Sequence, residues 1–541
     1  MNGGFAAEEL EVHGPQGPIV ESLTFRIEAG RALGLIGESG SGKSMTARAL
    51  VGLLPAGVAG RGTLGFGDLQ VDAAAGPNAP QWREIRGRRA VLLMQDPFTS
   101  LSPVHRCGVQ IAWSLQARPT GKHRGTRSGG ENALLRRHRQ RLADLLDELR
   151  LPHSALRRYP HELSGGQRQR VAIAAAMACE PELLIADEPT TALDAAVQAE
   201  VLDLLRALQR EHRMAMLLIS HDLGLIRGRA DDVMVMQHGR IVEQGPAATI
   251  LDEPRDPYTR ALLDANPSID RVRSSSSACD DGDRLLVAEG ITKSFAGVPV
   301  VRKVDICVRR REVLALVGES GSGKSTLARC LAGLESPDSG RVVLDGVRLP
   351  AGRRGRNPQQ MQMVFQDPYS SLNPVASVRQ CLAEALRAAR RPATEVPALL
   401  RTVGLDPSLA SRRPSRLSGG QRQRVAIARA LAPRPGLLIC DESVSALDVI
   451  VQAEVLEMLR SLRDSLDVSI LFITHDLAVV ADIADRVAVM RTGVIVEEGP
   501  VAQVLGSPRH PYTRHLAAAA RGDTAPEQTP EVAAAGPEAG Q

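Results

Sequence analysis

The sequence predicts an α/β protein built twice over: two successive units, each a mainly parallel sheet with flanking helices and an added helical subdomain. Three observations predict it. The chain repeats itself: GESGSGKS stands at 37–44 and 318–325, LSGGQRQRVAIA at 163–174 and 417–428, and PYTR at 257–260 and 511–514. Within each copy, short apolar runs alternate with amphipathic stretches. The 541 residues, 43% hydrophobic and 24% charged, are those of a globular protein too long for one compact core.

Composition excludes several classes. The 66 basic and 62 acidic residues leave a net charge of +4, which gives no strong case for a nucleic-acid partner. Aromatics at 2% argue against a base-stacking platform for single strands. No run of 18 apolar residues occurs, so a membrane span is not expected. The first residues lack the apolar core of a signal peptide. Seven cysteines, none within four residues of another, predict reduced thiols and neither a disulfide framework nor a C-x-x-C metal pair.

Taken in chain order, the apolar run at 32–36 leads straight into the first glycine-rich loop, a phosphate-binding pattern. Its glycines let backbone N–H groups converge on phosphate oxygens, and the following helix offers its positive end. The candidate ATP ligands are Gly37, Glu38, Ser39, Gly40, Ser41, Gly42, Lys43 and Ser44 in the first copy. In the second they are Gly318, Glu319, Ser320, Gly321, Ser322, Gly323, Lys324, Ser325 and Thr326. Ser44 and Ser325 are also candidate Mg²⁺ ligands. Only five of the 66 basic residues are lysines, and two of them sit in these loops. A planar guanidinium does not replace a compact ammonium there.

Further along, 65–80 and 118–131 read as loop expansions that the second copy lacks, and 133–150 has helical periodicity. LSGGQ then opens a helix. Apolar strands end in Asp187-Glu188 and Asp441-Glu442. Strand alternation would send the aspartates toward Mg²⁺ and the glutamates toward an attacking water, as general bases. His221 and His475 follow their glutamates by 33 residues in both copies, after further apolar runs. From Ser164/Ser418 through Asp187/Asp441 to His221/His475 the offset between copies is constant at 254. The Ser-rich stretch 266–284 reads as a flexible linker and 523–541 as a disordered tail, leaving units at 1–265 and 285–522.

The whole set of phosphate loop, Gln95 or Gln366, LSGGQ, Asp-Glu strand end, TALD or SALD, and histidine resembles the ATP-binding-cassette family, a branch of the P-loop NTPase fold. The resemblance covers nearly the whole chain, twice. It implies head-to-tail cassettes with two composite ATP sites. Lys43, Gln95, Asp187, Glu188 and His221 would face Ser418, Gly419, Gly420 and Gln421. Lys324, Gln366, Asp441, Glu442 and His475 would face Ser164, Gly165, Gly166 and Gln167. Gln95 and Gln366 would also reach Mg²⁺, and the histidines would sense the γ-phosphate.

VLLMQDPFTSLSP, MVFQDPYSSLNP and the PYTR segments resemble the dipeptide/oligopeptide/nickel importer ATPases, here with both cassettes fused. That likeness implies a peripheral protein on the cytoplasmic face of the membrane. Its partners would be two integral-membrane permease subunits and an extracytoplasmic substrate-binding protein, with no direct contact to cargo. Peptides are the expected cargo, nickel or a metal chelate the alternative. The segments 96–104 and 367–375 would touch the permeases. A different class, the soluble tandem-cassette translation factor, would carry a long charged helical linker, which 266–284 does not resemble. Phe295 fits the aromatic that stacks on adenine, whereas the matching position in the first copy is Gly14, beside His13. Relatives that hold an iron–sulfur centre carry a cysteine cluster after PYTR; here only Cys279 stands there, so no cluster is expected.

Overall fold

The computed structural model describes residues 4–95, 100–116, 131–190, 195–272, 283–354, 356–367, 371–445 and 447–521. Cys279, the tail 523–541, residues 96–99 and 368–370 of the expected permease-contact segments, and most of 118–131 lie outside them.

Each copy is built on a six-stranded sheet. In the first copy the order is Arg240–Pro246, Asp232–Gln237, Ala32–Ile36, Ala215–Ser220, Leu183–Asp187, Ala90–Leu93. All neighbours run parallel except Arg240–Pro246, which pairs antiparallel with Asp232–Gln237. The second copy has the same sheet, from Val494–Pro500 through Arg486–Arg491, Val313–Val317, Ser469–Thr474 and Leu437–Asp441 to Met361–Val364. A four-stranded antiparallel sheet packs beside each: Gly17–Ile27, Phe5–Gly14, Ala59–Phe66, Leu69–Asp72 in the first copy, and Val298–Arg309, Arg284–Phe295, Ser339–Leu344, Val347–Arg348 in the second.

The central strands read as unbroken apolar runs because both faces are covered. Along Ala32–Ile36, Leu33 and Leu35 enter the core shared with the antiparallel sheet, while Ala32 and Ile36 enter the core under the helical subdomain. Leu183 and Ile185 against Leu184 and Ala186 divide in the same way.

The helical subdomain of the first copy holds Cys107–Gln116, Glu131–Arg137 and Arg139–Glu148. The stretch 133–150, which has helical periodicity, is thus covered by two helices. The chain leaves helical geometry at His138 (φ −105°, ψ 14°). The break brings Leu134 and Leu135 to the same core as Leu142, Leu145 and Leu146. In the second copy the subdomain holds Val378–Ala388 and Val396–Thr402.

The copies touch each other. Helix Pro257–Ala265 packs on Val449–Leu466 of the second copy, and Pro511–Arg521 packs on Ala195–Glu211 of the first. Ile450 adds to the first copy's core. Ile269, within the stretch read as a linker, is buried in the second copy's core, and Asp270 pairs with Arg521 at 3.1 Å.

Candidate active sites

The two phosphate loops are built alike. Each links the end of a buried strand to a helix, Lys43–Leu50 or Lys324–Ala332. Gly37 and Gly318 allow no side chain: a Cβ on either would stand 2.1 Å from a carbonyl oxygen, of Met236 or Met490. Lys43 Nζ donates to the carbonyls of Gly37 (2.7 Å) and Glu38 (2.8 Å). Lys324 Nζ repeats this with Gly318 (2.6 Å) and Glu319 (2.8 Å). Burial lowers the Lys43 pKa against the pull of Glu188, Asp448 and Asp187.

Beside each loop the Asp-Glu pair closes the site. Ser44 Oγ donates to Asp187 Oδ1 at 3.1 Å, and Ser325 Oγ to Asp441 Oδ1 at 2.9 Å. Burial raises the pKa of both aspartates. Gln95 Nε2 donates to Glu188 Oε2 at 2.7 Å, and Gln366 Nε2 to Glu442 Oε2 at 2.8 Å. His221 Nδ1 lies 3.1 Å from Glu188 Oε1, and His475 Nδ1 3.5 Å from Glu442 Oε1. Burial opposes a charged His221, but its hydrogen bond to Glu188 and that carboxylate's charge prevail and raise its pKa. The hydrogen bond from His475 lowers the pKa of Glu442.

One expectation needs correcting. The glutamates are not turned away from their aspartates by strand alternation, because the strands end at Asp187 and Asp441. Glu188 and Glu442 stand in left-handed backbone, φ 47° and 46°. That conformation is uncommon for a non-glycine residue and costs on the order of 1 kcal/mol or more. It is held by the N–H bonds of Glu188 to Ile219 O (3.1 Å) and Glu442 to Ile473 O (2.9 Å). The same left-handed backbone recurs at the same place in both copies.

The LSGGQ segments start helices Gly165–Met177 and Gly419–Leu431. Ser164 and Gln167 form a reciprocal capping box, as do Ser418 and Gln421. A Cβ on Gly166 would stand 2.7 Å from a Val197 methyl and one on Gly420 2.2 Å from a Val451 methyl, so a side chain at either position would force the valine to move. Asp448, the last residue of SALD, lies between Leu447, beside Gly419, and Val451, beside Gly420. Its Oδ1 accepts the N–H of Ser39 in the first phosphate loop at 2.6 Å. The second copy's LSGGQ neighbourhood thereby meets the first copy's loop. Phe295 is 45% exposed at the tip of a hairpin whose return strand passes the second loop, and its ring carries Lys293 Nζ at 5.2 Å. Val300 of that strand is close enough that a Cβ on Gly323 would stand 2.6 Å from its carbonyl oxygen. At the matching place His13 pairs with Glu11 at 3.0 Å.

Two features escaped the sequence reading. Asp448 was visible only as part of a repeated tetrapeptide. The PYTR tyrosines were visible only as repeat markers, yet Tyr258 Oη accepts the N–H of Glu38 at 3.1 Å and Tyr512 Oη that of Glu319 at 3.0 Å. Nothing in the spacing links 258 to 38.

The ABC transporter family profile matches residues 20–191 and 301–445. The chain belongs to the ABC transporter family. A second profile, the oligopeptide/dipeptide transporter C-terminal region, matches 242–281 and 496–539. The ABC transporter ATP-binding protein YejF of Escherichia coli is 43% identical over 92% of this chain and 95% of its own. The glutathione import ATP-binding protein GsiA is 40% identical in Salmonella choleraesuis, over 94% of this chain and 87% of its own. Its Escherichia coli counterpart is 39% identical over 92% and 86%. A solved structure of RNase-L Inhibitor shares the fold across 94% of this chain and 95% of its own, at 22% identity and a TM-score of 0.61. The chain is thus an ATP-binding, ATP-hydrolysing subunit with two ABC cassettes. No described helix is long and apolar enough to cross a membrane.

Proposed function

We propose that the chain is the ATP-driven motor of an importer for di- or oligopeptides, working on separate permease subunits with an extracytoplasmic binding protein. The observation that carries this reading is the oligopeptide/dipeptide C-terminal region, matched once in each cassette. The relatives that import glutathione, itself a short peptide, support the same cargo class. The working units are 1–265 and 285–522, joined through 266–284 and followed by a tail at 523–541.

In this reading Lys43 and Lys324 leave their loop carbonyls for the β- and γ-phosphates. Glu188 and Glu442 take the proton of the attacking water, and His221 and His475 hold those glutamates and read the γ-phosphate. The opposite LSGGQ helix, aimed by its capping box, closes each site with its positive end. The Asp448–Ser39 bond supports this head-to-tail pairing. Ser44 with Asp187, and Ser325 with Asp441, offer oxygen donors only, and burial leaves each carboxyl in need of a counter-charge. That donor set fits Mg²⁺, completed by the Gln95 or Gln366 amide oxygen and by phosphate. The ion would neutralise phosphate charge.

An apolar groove of about 300 Å³ runs beside the Gln95 strand, lined by Leu53, Met94, Leu101, Ala175 and Cys179. Leu53 and Met94 are exposed, as are Val104 and Val375 near the two glutamine loops. These surfaces support permease docking, which would hold the protein at the cytoplasmic face of the membrane. The deciding experiment is uptake of radiolabelled di- and tripeptides, glutathione and nickel in a deletion strain complemented with this chain. Peptide uptake lost on deletion and restored by the chain supports the reading; nickel uptake alone restored rejects it. ATP turnover is expected to need no iron–sulfur centre, and a stoichiometric iron signal in the active protein would overturn that.

A further inference from the structure

The peptide joining Gly37 to Glu38 is gripped from both sides. A trans peptide points its C=O and N–H in opposite directions. Here the Gly37 carbonyl accepts Lys43 Nζ at 2.7 Å and the Glu38 N–H donates to Tyr258 Oη at 3.1 Å. The second copy repeats both contacts, with Lys324 Nζ on the Gly318 carbonyl at 2.6 Å and the Glu319 N–H on Tyr512 Oη at 3.0 Å. One side of this peptide parks the phosphate-loop lysine; the other belongs to a tyrosine about 220 residues downstream in the first copy.

The tyrosine itself is firmly mounted. In the first copy Glu243 accepts the N–H groups of Arg255 (2.8 Å) and Asp256 (3.2 Å), and Asp256 caps the Tyr258 N–H at 2.8 Å. In the second, Glu497 accepts from Arg509 (2.8 Å) and His510 (3.0 Å). The helices that carry the two tyrosines, Pro257–Ala265 and Pro511–Arg521, are seated on the opposite copy, so each hydroxyl approaches the loop from a support outside it. Burial pushes the Tyr258 phenol up to about 12, so it stays a neutral hydroxyl at physiological pH.

We propose that Tyr258 and Tyr512 are positioning residues of the two ATP sites, each fixing the peptide plane from which the phosphate-loop lysine is handed to nucleotide. The proposal rests on reading Lys43 and Lys324 as phosphate ligands. Without the hydroxyl, that peptide can rotate, its N–H lacks the tyrosine, and the loop must be reordered at each binding event. The cost falls on binding rather than on the water-activating step, where Glu188 and Glu442 are untouched.

The test is the full-length Tyr258→Phe/Tyr512→Phe variant, which keeps both rings. The readouts are Kd for a fluorescent Mg-ATP analogue, KM and kcat for ATP, and the melting temperature without nucleotide. Expected are a three- to ten-fold rise in Kd and KM, the scale of one hydrogen bond per site, with kcat within about two-fold and melting nearly unchanged. Unchanged Kd and KM, with or without a lower melting temperature, would overturn the proposal and leave the tyrosines merely structural. Lys43→Ala/Lys324→Ala separates the two failures. If it keeps full nucleotide affinity, the reading of the ATP sites is wrong. If it loses affinity while the tyrosine variant binds normally, only the positioning role is wrong.

Discussion

The two candidate ATP sites differ at the position read as holding the base and agree at the residues read as holding the phosphates. The serine–aspartate and glutamine–glutamate contacts are duplicated to within 0.2 Å, Ser44–Asp187 at 3.1 Å and Ser325–Asp441 at 2.9 Å, Gln95–Glu188 at 2.7 Å and Gln366–Glu442 at 2.8 Å. The strained glutamate backbone is duplicated too. By contrast Phe295 has no aromatic counterpart, since Gly14 lies at the same hairpin position and a Cβ there would meet Ile19 at 2.8 Å. The Tyr512 ring carries the Arg491 guanidinium at 5.0 Å, where the first copy has Gln237. Phosphate chemistry tolerates little displacement, because each catalytic contact is a short polar bond. Adenine would be held by stacking area, which one of the two sites can lack and still bind.

The largest test of that comparison acts on the shared part. Glu188→Gln and Glu442→Gln each keep size and remove basicity, so ATP binding should persist while turnover at the altered site falls by about 10²-fold or more. Strictly alternating sites would make either single variant nearly inactive in steady-state ATPase, and independent sites would leave about half the rate. A wild-type rate in one variant with total loss in the other would show that one duplicated geometry is only architectural. The next effect acts on the unshared part. Phe295→Ala should weaken nucleotide binding in the second cassette by about five- to a hundred-fold, the range of one base–aromatic stack, and leave the first cassette alone. Photolabelling by an ATP analogue, read after proteolytic separation of the cassettes, checks it. Equal loss in both would erase the contrast.

What the sequence made legible follows from distance along the chain. The glycine-rich loops, the LSGGQ capping boxes and the Asp-Glu strand ends are local patterns, so short segments already hold their chemistry. The contacts of Asp448 with Ser39 and Tyr258 with Glu38 span 409 and 220 residues, and no local periodicity encodes them. The cause of the glutamate orientation was misread because alternation was extended one residue past a strand end, where the backbone turns left-handed. The helical periodicity at 133–150 was legible, but the break at His138 was not, because leucines on both sides of it satisfy one helical period.

Protonation separates the sites in a smaller way. The His221 pKa is raised above its ordinary 6.5, chiefly by Glu188 working against burial. Stability from this pair is therefore complete below about pH 6.5 and lost as pH rises through the raised value. The Glu442 pKa lies below its ordinary 4.5 because of His475, so that contribution is present above about pH 4.5 and lost as pH falls through the lowered value. The melting-temperature difference between wild type and His221→Gln should thus shrink from about pH 6 to about pH 9. A constant difference would mean that His221 acts by packing rather than by charge.

The smallest expected effect lies between the cassettes. Partial burial and then the charge of Asp476, from the opposite cassette, raise the pKa of Asp222. The two aspartates are themselves helix caps, Asp222 for Leu223–Ile226 and Asp476 for Leu477–Ile483, where Asp476 accepts the Ala478 N–H at 2.8 Å. Like charges facing each other oppose the packed arrangement, whereas the caps require only an acceptor oxygen. Asp476→Asn keeps such an oxygen, so the cap should survive, and the repulsion should go. The variant should gain less than about 1 kcal/mol, more at low salt than at high salt, as screening by ions already weakens the repulsion. Thermal melting at two salt concentrations measures it. A salt-independent loss of stability would mean that the Asp476 charge serves its own helix more than it burdens the interface.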